Sequence, residues 1–147
     1  MTYKSQNLTA FAGQISKAGE SLARATGEQN VGTTPVAAGR FVALAAGGIK
    51  ELAAVTDVVA GVVVRSPVQS EYQPDEYLSV GRVGHGDGIW VVLEGSAERG
   101  DKVFIRAVAE NGKPSGSVLA AEVADKTAPS DFHILNVTAG LAEIGRL

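Results

Sequence analysis

His85 and His133 are the only imidazoles in this 147-residue chain, which makes them the first candidates for acid–base or metal chemistry near neutral pH. His85 stands two residues before Asp87. On a strand the two would share a face and could act as a base and the carboxylate that orients it. A metal ion would need a third ligand, for which Asp57 and Glu71 are the candidates, but no His-x-His or His-x-x-x-His spacing accompanies them. The enclosing segment, Gly81-Arg82-Val83-Gly84-His85-Gly86-Asp87-Gly88, is rich in glycine like a phosphate-binding loop. Such a loop must open a helix, whose N–H groups and dipole meet the phosphate, whereas an apolar strand-like run follows here at Ile89. The segment therefore reads as a polar surface turn, in which neither His85 nor Asp87 is expected to matter for folding.

Other reactive constellations fail similarly. The chain has no cysteine, which excludes a thiol nucleophile, a disulfide framework and a thiolate metal site. No Gly-x-Ser-x-Gly presents a serine on a sharp turn. Glu71, Asp75 and Glu76 fall in a loop with Gln, Tyr and Pro and read as solvated charges. Arg99-Gly100-Asp101 spells an adhesion tripeptide, yet Gly100 supplies a turn and Asp101 opens the next strand. The sequons at Asn7 and Asn136 carry no weight without a secretory signal. The expectation is a protein with no catalytic residues, no metal and no cofactor.

The elements that position these residues follow from composition. A net charge of −3 argues against a surface that neutralises many phosphates, so nucleic acid is not expected as a partner. No apolar run approaches the ~18 residues of a membrane helix, and the N-terminus is polar, so neither a membrane span nor a secretion signal is expected. Glycine is abundant, at 18 residues, aromatic residues make up only 5%, and Ala and Val dominate the apolar content. This combination predicts many short strands, with few large anchors for the core, and hence reliance on a partner's surface.

Residues 1–30 are set apart by polar and glycine residues with isolated apolar side chains at Tyr3, Leu8, Phe11, Ile15 and Leu22, and they read as an extended arm. Leu8, Phe11, Ile15, Ala18, Leu22 and Ala25 also fit one helical face, against which Gly13 and Gly19 would each cost about 1 kcal/mol. From Val31 onward, short apolar runs alternate with turn residues. Strands are predicted over 40–45, 49–55, 58–65, 77–83, 89–94, 101–108, 117–121, 132–138 and 141–146, with hairpins at Gly47-Gly48 and Ala139-Gly140. The predicted fold is all-β, a jelly-roll-like sandwich or small β-barrel over residues 31–147 with an extended N-terminal arm over 1–30. Tyr3, Leu8, Phe11 and Ile15 are too dispersed to build a core, and are expected to bury themselves against another chain.

The order of several segments also carries a resemblance. Ala10-Phe11-Ala12-Gly13-Gln14-Ile15, Val36-Ala37-Ala38-Gly39-Arg40-Phe41-Val42, Val58 to Val64, Gly100-Asp101-Lys102-Val103 and the closing Leu141 to Leu147 together resemble tailed-bacteriophage capsid cement (decoration) proteins. The resemblance implies a structural virion protein, made in the host cytoplasm, on the outer surface of the capsid. It implies binding to neighbouring copies of the major capsid protein, self-association as a dimer or trimer, and a capsid-contact role for the arm. A competing reading is a receptor- or carbohydrate-binding module of a tail or fibre, for which Tyr72 and Tyr77 around Pro74 are the only candidates.

Overall fold

Gly-bounded apolar runs become strands because Val, Ile and Phe fit a pleated surface while glycine supplies the positive φ of the turns between them. The computed structural model describes residues 10–17 and 25–147, so Tyr3, Leu8 and Leu22 lie outside the described residues. Among the described residues there are thirteen strands and no helix. The strands are β1 (Ile15–Lys17), β2 (Thr26–Gln29), β3 (Val36–Ala37), β4 (Phe41–Ala45), β5 (Gly48–Glu51), β6 (Val59–Val63) and β7 (Glu71–Tyr72). They continue with β8 (Tyr77–Gly81), β9 (Gly88–Val92), β10 (Lys102–Arg106), β11 (Val118–Leu119), β12 (Thr127–Thr138) and β13 (Leu141–Gly145).

Two antiparallel sheets form a sandwich, ordered β1-β9-β13-β12-β10-β11 and β2-β8-β6-β4-β5, with β3 and β7 as a separate ribbon. The predicted hairpins are present as β4–β5 and β12–β13. Neither sheet closes into the barrel that the sequence left open. Isolated bridges join Asn30 to Ile49 across the smaller sheet and Leu93 to Val118 across the larger.

The period of two divides the smaller sheet between two cores. Phe41, Ala43 and Val62 face a large cluster with Ile89, Val91, Val103, Ile105, Phe132, Ile134 and Ile144 of the opposing sheet. Val42, Val63, Leu78 and Val80 face a second cluster with Ile49, Val36 and Tyr72, so the ribbon packs on that side. The smaller sheet is thus buried on both faces, with each such side chain contributing roughly 1.5–3 kcal/mol. That explains why its strands read as runs of Val and Ala rather than as an alternation.

The strand bounds differ from expectation where side chains outvote apolar pattern. β5 stops at Glu51 because Asp57 accepts from Ala53 N–H at 2.9 Å and Ala54 N–H at 3.0 Å, turning the chain. β12 begins at Thr127, five residues early, through a polar stretch containing Pro129. The ladder shifts there, and Ser130 Oγ donates to Val103 C=O at 2.6 Å. No helix forms over 15–17, and both β1 and β2 pair with the sheets.

Candidate functional site

The first described segment is held between the two sheets. Gly13 N–H donates to Trp90 C=O at 2.8 Å, Trp90 N–H donates to Gln14 C=O at 2.9 Å, and Arg65 N–H donates to Gly13 C=O at 3.1 Å. Trp90 belongs to the larger sheet, while Arg65 follows β6 of the smaller. This strap crosses the Ala38-Gly39 turn so tightly that a Cβ on Gly39 would lie 2.5 Å from that of Ala12. Gly39 has φ +81° and Gly13 φ +82°, so glycine is required at both for conformation as well as space.

Two of the four arm residues are placed. Ile15 is half-buried and packs on the large core cluster, opposite Ile89. Phe11 is exposed, and the Arg65 guanidinium lies 4.7 Å from its ring centroid, so these two arm residues face different surroundings.

A buried carboxylate fastens the strap. Glu143 on β13 is 3% exposed. Its Oε1 accepts from Asn136 Nδ2 at 2.6 Å, its Oε2 accepts from Ser16 Oγ, and Lys17 Nζ lies 3.8 Å away. Because β9 runs between β1 and β13, Ser16 must reach across it. It does so at Gly88, where a Cβ would sit 2.6 Å from Ser16 Oγ. A polar residue inside the closing Leu-Ala-Glu-Ile-Gly run was the sequence signal for this lock, since an acidic side chain at a core period needs partners.

Arg106, 1% exposed, forms a second buried ionic group. Its Nε and Nη2 donate to Glu94 at 2.5 and 2.8 Å, and its Nη1 donates to Glu110 at 2.9 Å and to Val108 C=O at 3.2 Å. The Glu94 hydrogen bonds hold its guanidinium above the usual arginine range, more than desolvation lowers it, with Glu110 adding to the effect. The group joins β10 to the end of β9 and to the 110–113 turn.

The structure separates His85 from Asp87 in role. His85 is exposed, whereas Asp87 is 2% exposed and accepts from Gly84 N–H at 2.8 Å. The glycine-rich segment is therefore a turn, as read, but Asp87 is part of its framework, which corrects the expectation that it would not matter for folding. His133 lies on β12 of the larger sheet. Asp101 accepts from Glu98 N–H at 2.8 Å and Glu76 from Gln73 N–H at 2.6 Å, so these acidic residues also shape turns. Asp57 is held below the usual carboxylate range chiefly by the Ala53 N–H. Among the described residues no group of three His, Asp or Glu could hold a metal ion. Of the tyrosine pair, Tyr72 is buried in the second core and only Tyr77 is exposed, so no shared aromatic platform exists there.

An all-β sandwich whose buried charges fasten strands and whose acidic loops cap turns is a structural scaffold. The chain matches the XM1 gp53 minor capsid protein family over residues 1–145 and belongs to that family. It is a minor capsid protein of a phage, a structural component of the virion. A chain from the solved capsid of Myoviridae phage XM1 shares the fold, with a TM-score of 0.74 and 18% identity over 98% of this chain and 96% of that one. No curated protein is a significant match.

Proposed function

We propose that the protein binds the outside of the phage head and cements neighbouring major capsid protein subunits, using its N-terminal segment as one of the contacts. The observation that carries this reading is the strap at residues 10–17, bonded through Gly13 and Gln14 to Trp90 of the larger sheet and through Gly13 to Arg65 just beyond β6 of the smaller one. A segment rooted in this way transmits whatever its outer part grips to the whole sandwich. Phe11, exposed at the start of the strap, is one proposed contact residue, and Tyr3 and Leu8, which precede it in the sequence, are the others. Ile15 is the root that docks on the protein's own core. Many modest contacts repeated over a shell act together, so none has to be strong alone. Self-association as a dimer or trimer would extend the same principle.

The test uses purified heads that lack this protein. Full-length chain should decorate them, and cryo-electron microscopy should place it outside the shell across subunit boundaries. Density inside the shell, or no binding to assembled heads, refutes the proposal. Removal of residues 1–9 should weaken decoration by at least tenfold, since burying two side chains of this size contributes roughly 3 kcal/mol or more.

A further inference from the structure

Between β6 and the end of β8 on one side, and β10 and β12 on the other, lies an open cleft of about 340 Å³. Its walls include Val59, Val83, Ile105 and Phe132, with Arg82 and Arg146 as cations and Asp131 as the acidic lining residue. Three features of this cleft point to one kind of occupant.

The first is a strand edge. β6 pairs with β4 as far as Val59, but with β8 only at Val62 and Val63, because β8 ends at Gly81. Along Val59 and Ala60 the β8 side of this strand has no strand partner among the described residues. Such an edge accepts an added strand through main-chain hydrogen bonds. The second feature is the apolar wall, which suits alternate side chains of an extended segment. The third is Arg146. Its guanidinium stacks on Phe132 at 4.9 Å from the ring centroid, its Nε is buried without an acceptor, and it has no ion-pair partner among the described residues. Arg82, across the cleft, pairs with Glu28 only at 3.5 Å on the surface. A partly desolvated guanidinium lacking an acceptor favours a carboxylate.

We infer that this cleft receives an extended segment of a shell protein, which adds to the open edge of β6 and sets an acidic side chain against Arg146. Apolar side chains of that segment lie on Val83, Ile105 and Phe132. The inference rests on the capsid-binding reading above and gives it a second contact, independent of the N-terminal segment.

Heads lacking the protein are titrated with wild type, Arg146→Gln, Val59→Trp and, as a control on an exposed arginine, Arg99→Gln, each first checked by thermal melting. Arg146→Gln should raise the half-saturating concentration about tenfold at low salt, with the gap narrowing as salt rises. Val59→Trp, which fills the half-exposed wall, should weaken binding at all salt concentrations, and Arg99→Gln should bind as wild type does. A photo-cross-linking amino acid at position 59 should join this chain to a shell protein, and this arm decides the matter if either variant melts early. Wild type that decorates heads while both cleft variants bind equally well overturns the cleft but not the cementing role. A cross-link between two copies of this chain overturns it in favour of self-association, and wild type that binds no heads overturns both readings.

Discussion

Arg106 and Glu143 show why single buried charges are sensitive points in a small sandwich. Replacing Arg106 with Ala strands Glu94 beside a cavity, and loss of one partner of a buried pair costs about 3–5 kcal/mol. Chemical denaturation of Arg106→Ala should show that loss, and Arg106→Lys should recover little of it, because an ammonium cannot make the two-pronged contact with Glu94. Since the guanidinium is held above its ordinary range, its contribution persists as pH rises from neutral and is lost only in strong alkali. Asp57 has the opposite sign. Its carboxyl is held below the usual range, so its contribution is present above ordinary carboxylate titration and disappears as pH falls through the lowered value. Asp57→Asn should therefore be less stable than wild type at pH 7, and the gap in melting temperature should close in acid. At the glycine-rich turn, Asp87→Ala should destabilise by about 1–3 kcal/mol, through loss of the buried acceptor for Gly84 N–H. His85→Ala should leave the melting temperature unchanged, because the side chain is exposed.

At the scale of elements, the apolar strands were legible and the polar ones were not. β4, β6, β8, β10 and β13 each sit within a predicted run, and β9 opens one residue before its own, because their Val, Ile and Phe side chains face a core. β1 and β2 carry Ser, Lys, Thr, Gly, Glu and Gln at sheet edges, where backbone pairing makes the strand and little apolar burial advertises it. The short ribbon β3–β7 escaped for a related reason, since its two-residue strands hold one buried side chain each, Val36 and Tyr72. The strap was only half legible: Gly13 argued correctly against a helix, but its bond to Trp90 spans too much sequence to be read from spacing. Truncation separates these roles. Removing residues 1–9 should leave the melting temperature within a few degrees of wild type. Removing 1–17 also deletes β1, Ile15 and the Ser16–Glu143 contact, and should lower stability by several kcal/mol. Gly39→Val should mimic the larger truncation without shortening the chain, through its clash with Ala12.

For the whole molecule, the low aromatic content is met by a sheet buried on both faces, which gains two cores from one set of strands. Far-UV circular dichroism should show a β spectrum without a helical minimum, in keeping with thirteen strands and no helix among the described residues. The exposed apolar side chains Phe11, Val58, Val68 and Tyr77 come from four separate segments of the chain, consistent with a scaffold that meets its surroundings in more than one place. The attachment of the strap also has a mechanical consequence. A tug on the N-terminus meets bonds to Trp90 in the larger sheet and to Arg65 just beyond β6 of the smaller one, so tension is shared between anchorages instead of peeling one ladder rung by rung. Stretched in an optical trap from its N-terminus, the molecule should hold until strap and sandwich yield in a single event, whereas Gly39→Val should release the strap first, at lower force.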